Sequence, residues 1–287
     1  MEGAVTLRRG EPGYPEALAR VAHPPAFLRL RGSLGPAGAR RVAVVGARAS
    51  DEAGLDIAAD LARGLARAGI SVVSGGADGV DSAGHRGALD AGGHTVAVLG
   101  GGLDRLYPAG NRRLFARIVE AGGALLAEQE DGVHPTEFSF PERNRIVAGL
   151  CQAVVVVRAG ERSGALGTAA WARTIGVQIF AVPGDPTNPL AAGTLRLLRE
   201  GARLAAAAED VLAFLGLDLP EPRPAPQLEL QGNEAALWQA LGREPRHADV
   251  VAREAGLPPP AALAGLLSLE IQGLCEQRPG QRFLRRG

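Results

Sequence analysis

The sequence contains no lysine, and all 31 of its basic residues are arginine. This absence excludes a Schiff-base lysine and the lysine of a P-loop. A bound anion must therefore be held by arginine, histidine, backbone N–H groups or helix N-termini, and the planar arginine fork suits phosphate. GC-rich codons account for the same bias, with a thermophilic source as a second explanation.

Cysteine, aromatic residues, net charge and long apolar runs are also scarce. The two cysteines, Cys151 and Cys275, are too few for a disulfide framework or a metal site of their own. The 31 basic residues balance 31 acidic ones, which excludes steering of a nucleic acid by the global charge. No apolar run reaches the ~18 residues of a membrane span, and residues 1–10 contain no signal-peptide core. We therefore expect a cytoplasmic protein with no membrane span.

Strand and helix patterns alternate over residues 41–215. Apolar runs of strand length fall at 42–45, 70–73, 95–99, 124–126, 153–157 and 178–182, and helical patterns separate them. One such pattern is the stripe of Ala58, Leu61, Leu65 and Ala68. The alternation predicts an α/β fold with a doubly wound parallel sheet covered on both faces. Residues 1–40, punctuated by proline and glycine, are expected to form an irregular N-terminal arm.

A proline-rich segment precedes the C-terminal fifth of the chain. Residues 216–230 carry four prolines and predict a stiff linker, so residues 231–287 form a separate small domain. Helices are expected at 234–241, 248–255 and 258–272, the last with Leu263, Leu266, Leu267 and Ile271 on one face, and a hairpin at 274–285. This order favours a winged helix, with a small helical dimerisation domain as the alternative. The domain is close to balanced in charge and lacks the basic stripe of a strong duplex binder.

Glycine-rich loops follow the carboxyl ends of four expected strands, where doubly wound sheets bind their ligands. They fall at 46–50, 74–81, 100–104 and 183–186. In the first loop, Gly46 lets an anion approach the backbone, while Arg48 and Ser50 lie beside the N-terminus of the next helix. These loops predict a broad binding edge lined by backbone groups.

Two further segments add candidate binding groups to this edge. Ser163, Gly164 and Thr168 lie at a helix N-terminus after the strand at 153–157. The second segment, which opens the helix before that strand, contains Phe138, Phe140, Arg143, Asn144 and Arg145. Aromatic rings among arginines suit single-stranded nucleic acid, whose bases stack while its phosphates pair with the cations. The alternative is that both phenylalanines are core residues and that Arg143 makes a structural pair.

Catalytic signatures are missing from the sequence. There is no HExxH motif, no nucleophile elbow and no Cys–His pattern. Asp78 and Asp81 are a candidate carboxylate pair for a metal, although acidic residues in glycine-rich turns more often cap helices. His85 lies four residues after Asp81, in a structural pair or a capping arrangement. We therefore expect no enzymatic activity, no cofactor and no metal.

The ordered series of motifs resembles the DNA-processing family DprA, also called Smf. The motifs are VAVVGARAS (42–50), VVSGGADGVDSAGH (72–85), TVAVLGGGLDRLYPAGN (95–111), FPERNRIVAGL (140–150), SGALGTAAWA (163–172) and AVPGD (181–185). The resemblance covers about residues 25–212, and the tail resembles the winged-helix module of many members. It implies an extended Rossmann-like domain and a non-catalytic homodimer that binds single-stranded DNA in natural transformation. It also implies that the protein protects incoming DNA and helps load RecA, displacing or bypassing single-strand-binding protein.

The resemblance also implies most of the expected DNA-binding residues, to which Arg112 and Phe140 are added from their chemistry. Members often carry a basic residue where Ala109 stands, and either Arg112 or Arg113 is expected to substitute for it; Arg158 replaces a family glutamate. The full set is Gly46, Arg48, Ser50, Gly75, Gly76, Arg112, Phe140, Arg143, Asn144, Arg145, Ser163, Gly164 and Thr168.

Two other functions remain open at this point. The SGALGT loop resembles the PGGxGT loop of lysine-decarboxylase-like phosphoribohydrolases, although Ala169 and Ala170 stand where those enzymes need a carboxylate. A nucleotide-binding or nucleoside-phosphate-hydrolysing enzyme on the same sheet is therefore the main alternative. The second is a transcription regulator whose sheet senses a nucleotide and whose winged helix reads duplex DNA, and the balanced charge of 231–287 argues against it.

Overall fold

The chain divides into two compact units, residues 1–221 and 222–287. The computed structural model describes residues 3–218, 230, 232–242 and 244–285. Most of the expected linker at 216–230 lies outside these residues. The two units are described separately.

The larger unit is built on a nine-stranded sheet. In chain order its strands are β1 (Val5–Arg8), β2 (Phe27–Gly32), β3 (Arg41–Val45), β4 (Ser71–Ser74), β5 (Thr95–Leu99), β6 (Ala124–Ala127), β7 (Ala153–Val156), β8 (Gln178–Ala181) and β9 (Arg203–Leu204). Across the sheet the order is β1-β2-β6-β5-β4-β3-β7-β8-β9, and β3 to β9 pair in parallel. The chain moves outward from β3 to β6 and then returns to β7 on the other side of β3. The topological switch point therefore lies between β3 and β7.

Helices cover both faces of this sheet. They are α1 (Glu52–Arg67), α2 (Val80–Asp90), α3 (Arg112–Glu120), α4 (Ser139–Leu150), α5 (Ala165–Thr174), α6 (Ala192–Arg199) and α7 (Ala208–Phe214). Val42 and Val44 pack in the core beside α1, whereas Ala43 and Val45 pack in the core beside α4. Successive strand side chains point to opposite faces, so a strand covered on both sides must be apolar throughout. The expected doubly wound α/β fold is confirmed.

The N-terminal segment differs from the irregular arm expected at 1–40. β1 pairs with β2 and β2 pairs with β6, both antiparallel, so this segment extends one side of the sheet. Leu28 and Leu30 are buried, while Arg29 and Arg31 point the other way and are half-buried. This is the period-two pattern of a strand with one covered face, which the surrounding proline and glycine residues obscure. The irregular-arm prediction is therefore wrong for β1 and β2.

The smaller unit has the expected winged-helix order. Its elements are α8 (Gly232–Ala240), β10 (Arg246–His247), α9 (Ala248–Glu254), α10 (Pro259–Ile271), β11 (Cys275–Arg278) and β12 (Arg282–Arg285). The strands form an antiparallel sheet in the order β10-β12-β11. Its core includes Leu237, Val251 and Phe283. In the described part of the chain, no helix is long and apolar enough to cross a membrane.

The buried face of α10 is not the one that the sequence pattern indicated. Ala262, Leu266 and Leu269 are buried, whereas Leu267 is 41% exposed and Ile271 is 89% exposed. The inward positions follow the i, i+4, i+7 spacing of one helical face. The expectation that Leu267 and Ile271 share a face with Leu266 is wrong, because α10 is apolar on more than one side.

Candidate nucleic-acid interface

A cleft of about 920 Å³, here called the main cleft, opens at the carboxyl ends of the strands around the switch point. It lies between the loops after β3, β4 and β7 and the first turns of α4 and α5. Of the residues expected to bind DNA, those that line it are Gly46, Arg48, Gly75, Phe140, Arg143, Asn144, Ser163, Gly164 and Thr168. Motifs far apart in the chain therefore meet at one edge, as the doubly wound topology requires.

One wall of the main cleft is a stack of an arginine and two aromatic rings. The guanidinium carbon of Arg48 lies 4.7 Å from the centroid of the Phe140 ring. The rings of Phe140 and Tyr107 are 5.8 Å apart and inclined by 41°. Arg48 and Tyr107 are exposed, Phe140 is half-buried, and Phe138 at the start of α4 is 83% exposed. The alternative in which both phenylalanines are core residues is therefore wrong.

Arg143 forms part of the floor of the main cleft and is bound by backbone carbonyls. Its Nη1 donates to the carbonyl oxygens of Gly75, at 2.5 Å, and Val98. Its Nε is buried and has no hydrogen-bond partner among the described residues. Burial lowers the pKa of Arg143 to about 10, with the Asp81 carboxylate acting in the opposite direction, so the side chain stays charged at neutral pH. A Cβ on Gly75 would lie 2.5 Å from the Arg143 guanidinium, so a larger residue would displace it.

The glycine-rich loop after β4 is held by hydrogen bonds to side chains of the protein, so it has fewer free N–H groups than expected. Asp81 Oδ2 accepts from the backbone N–H groups of Gly75 and Ala77, at 3.1 and 3.3 Å. Asn111 Nδ2 donates to the Gly76 carbonyl at 3.1 Å. Burial raises the pKa of Asp81, and the charge of Arg143 opposes that rise. Asp81 is thus a structural acceptor of loop N–H groups, and in the described part of the chain no cluster of three His, Cys, Asp or Glu is placed to hold a metal.

His85 is not paired with Asp81. Its Nδ1 lies 2.7 Å from the Thr95 hydroxyl, which donates to the Val72 carbonyl, so Nδ1 carries the proton. Burial lowers the pKa of His85 to about 3, and the ring is neutral at physiological pH. The expected Asp81–His85 pair is therefore wrong, and His85 is a core residue.

Arg145, expected to contact DNA, is occupied by structural partners. Its guanidinium makes a two-pronged ion pair with Glu128, at 2.6 and 2.9 Å, and Nε donates to the His23 carbonyl. The Arg145 side chain is only 6% exposed. This residue joins α4 to the end of β6 and to the N-terminal segment, so we remove it from the DNA-contacting set.

Ser50 and Gly76 also lie outside the main cleft. Ser50 Oγ is buried and lacks a hydrogen-bond partner within the described ranges. Gly76 has a φ of +70°, and a Cβ there would lie 2.8 Å from the Phe115 ring. Gly76 is therefore required by backbone geometry and close packing. Neither residue is therefore placed to contact a ligand in the main cleft.

The N-terminus of α1 is closed by its own cap. Asp51 Oδ1 accepts from the Gly54 N–H at 2.8 Å and pairs with Arg158 Nε at 3.2 Å, while Asn188 donates to Oδ2 at 2.9 Å. Burial opposes ionisation, but these contacts from Gly54, Asn188 and Arg158 hold the pKa of Asp51 below its usual value. The anion site expected beside this helix is already filled by a carboxylate. The first turn of α5 borders the cleft, and its N–H groups are also engaged: Ala165 donates to Ser163 Oγ at 3.4 Å, and Leu166 donates to the Ser163 carbonyl at 3.0 Å.

Among the lining residues outside the predicted DNA-binding set, three have a charged or aromatic side chain that sequence reasoning missed: Tyr107, Glu137 and Arg162. Arg162 is exposed and makes no hydrogen bond or ion pair with the described residues. Its position directly before the Ser163-Gly164 turn was a usable signal. Tyr107 and Glu137 lie on loops whose sequences do not indicate where the side chains point.

Arg112 lies in a second, adjoining cavity of about 460 Å³, here called the rim cavity. Its lining residues are Asp104, Arg105, Leu106, Tyr107, Arg112, His134, Pro135, Thr136, Glu137 and Phe140. Three of them, Tyr107, Glu137 and Phe140, also line the main cleft. The two cavities are therefore continuous along the ring pair.

Family models and relatives agree on what this chain is similar to. The model described as DNA recombination-mediator protein A matches residues 5–216, and the DprA winged helix domain matches residues 221–281. A DprA-named protein of Mycobacterium tuberculosis is 47% identical over 267 residues, covering 89% of this chain and 68% of that protein. Protein Smf of Escherichia coli is 36% identical over 275 residues, covering 93% of this chain and 74% of that protein.

Two solved structures extend the similarity to three dimensions. The X-ray structure of DprA from Streptococcus pneumoniae has a TM-score of 0.69 at 39% identity, covering 73% of this chain and 74% of that chain. The structure of DNA processing protein A of Helicobacter pylori, described for its single-stranded DNA binding mode, has a TM-score of 0.65 at 28% identity, covering 74% of this chain and 95% of that chain. Together with the winged-helix unit and the motif-lined cleft, these matches show that the chain belongs to the DprA family of DNA-processing proteins.

Proposed function

We propose that this protein binds single-stranded DNA along the main cleft and handles incoming DNA for recombination. The observation that carries the proposal is the Arg48–Phe140–Tyr107 stack on a wall of the cleft. The H. pylori relative, whose structure is described for its single-stranded DNA binding mode, supports the same ligand. A surface of aromatic rings and arginines accepts any base on the rings and any phosphate on the cations.

The free cations of the cleft set the expected binding mode. Arg48 and Arg162 are exposed at the main cleft, and Arg112 is exposed at the rim cavity. Arg143 is engaged with carbonyls and contributes a fixed positive charge to the floor. Phosphate contacts of this kind are salt-sensitive and carry little sequence information. The neutral net charge means that attraction comes from this local patch.

The later steps of the function follow from the family. We propose that a homodimer presents two such clefts, protects the bound strand from nucleases and passes it to RecA in the presence of single-strand-binding protein. The description of the matching family as a recombination mediator supports this order of events. Two linked clefts would raise the avidity for a long strand without any new contact. Light scattering tests the dimer, and RecA filament assembly on protein-coated DNA tests the transfer.

Fluorescence anisotropy with labelled dT12 and a duplex of equal length tests the binding step. We expect tight binding of dT12, weaker binding of the duplex, and a marked loss of dT12 affinity between 50 and 200 mM salt, on the order of tenfold or more. Equal and weak binding of both ligands would overturn the proposal. Release of base or phosphate from nucleoside monophosphates would instead favour an enzyme on the same sheet.

A further inference from the structure

The rim cavity offers a base-sized site beside the path of the strand. It shares Tyr107, Glu137 and Phe140 with the main cleft, so a strand that leaves the cleft on this side would enter it. The ring of Phe140 is covered by Arg48 on one side and neighboured by Tyr107. Tyr107 itself is 51% exposed. It is therefore the ring with area left for a stacked base.

The charged groups of the rim cavity are not all available to a ligand. Asp104 is engaged, because it accepts from the Gly132 N–H at 2.7 Å and pairs with Arg105 at 3.4 Å. Arg112 and Glu137 are both exposed and make no hydrogen bond or ion pair with any described residue. The cavity thus presents one free cation and one free carboxylate beside an aromatic ring.

A free carboxylate is unexpected where phosphates are to bind. The charge of the carboxylate repels the phosphate backbone of the strand. A hydrogen bond that a base donates to the carboxylate offsets this repulsion. Cytosine, adenine and guanine carry exocyclic amino groups that donate to carboxylates, whereas the exocyclic groups of thymine are two acceptor oxygens and a methyl group. Glu137 therefore distinguishes bases by whether they have an amino group.

We propose that the rim cavity is a nucleobase subsite that prefers the bases with an exocyclic amino group, cytosine, adenine and guanine, to thymine. Tyr107 stacks the base, Glu137 accepts from its exocyclic amino group, and Arg112 holds the adjoining phosphate. This inference rests on the proposed single-strand binding and specifies which bases that site favours.

Anisotropy of the full-length protein with labelled dC12 and dT12 tests the subsite, because the two pyrimidines match in ring size. We expect the wild type to bind dC12 about fivefold more tightly than dT12, the lower end of the discrimination from one base contact. Glu137→Gln should abolish the preference, since the amide also donates to thymine. Arg112→Ala should weaken both ligands alike, because a phosphate contact carries no sequence information.

Glu142→Gln is the matched control. Glu142 is exposed in the first turn of α4 and lines neither cavity, so this variant removes the same charge nearby and should keep the dC12 preference. Equal affinity of the wild type for dC12 and dT12, or a preference that survives Glu137→Gln, would overturn the base subsite while leaving single-strand binding intact. Failure of both oligonucleotides to bind would overturn the proposed function and this inference with it.

Discussion

Replacing Arg48 with alanine tests the main cleft most directly. Arg48 is exposed, has no ion-pair partner among the described residues, and lies over the Phe140 ring. The variant removes one phosphate contact and the cation–π contact. A hydrogen bond to a charged group contributes about 1.5–3 kcal/mol, and the exposure of Arg48 places it at the lower end. We therefore expect about a tenfold loss of dT12 affinity at ~100 mM salt.

The salt dependence of dT12 binding is a second quantity that can be calculated independently. For single strands the slope of log K against log salt is about −0.7 per phosphate contact. The three free cations, Arg48, Arg112 and Arg162, predict a slope of about −2.1, or about an 18-fold loss of affinity between 50 and 200 mM salt. With Arg48 removed, the slope becomes about −1.4 and the loss about sevenfold.

Anisotropy titrations of dT12 at four salt concentrations measure both quantities. Arg67→Ala is the matched control, because Arg67 is exposed in the last turn of α1 and lines neither cavity. It changes the net charge equally and should leave the slope unchanged. The stability of Arg48→Ala should stay within about 0.5 kcal/mol of wild type, as expected for a surface residue. An unaltered slope and affinity in Arg48→Ala would refute the assignment of phosphates to this cleft.

Three further predictions follow from the same contacts. Arg145→Ala should lower the free energy of unfolding by about 2–3 kcal/mol, because it leaves Glu128 without its partner. Urea denaturation measures this loss. A variant that is as stable as wild type but loses DNA binding would contradict the structural role of Arg145. Burial lowers the folded-state pKa of His85 to about 3, below an unfolded value of about 6.5, so its contribution to stability is complete above pH 6.5 and is lost as the pH falls toward 3. Urea midpoints of His85→Asn should therefore vary less between pH 7 and pH 5 than those of wild type, and equal variation would refute this assignment. A chain truncated after Asp218 should keep the wild-type dT12 affinity and salt slope, since residues of the larger unit line the main cleft, and a lost slope would place binding groups in the smaller unit.

The strand pattern in the sequence was sufficient to predict the parallel sheet. Strands buried on both faces are continuous apolar runs, and their signal is local. β2 escaped notice because it has one covered face, so its two leucines alternate with Arg29 and Arg31. The two-residue strand β9 is too short to carry any periodicity. Helix α10 shows the limit of the same reasoning, because a helix that is apolar on several sides does not indicate which side is buried.

The sequence by itself determined the fold class, the edge of the sheet where ligands bind, and the absence of lysine chemistry. Only the tertiary structure decided which donors at that edge are free. Arg145 is paired with Glu128, the Gly75 N–H donates to Asp81, and Asp51 caps the N-terminus of α1. The Arg145–Glu128 pair joins different elements, and Tyr107 and Glu137 enter the site from separate loops. Motif spacing reports the residue types at the carboxyl ends of strands, whereas the availability of each polar group depends on its folded neighbours.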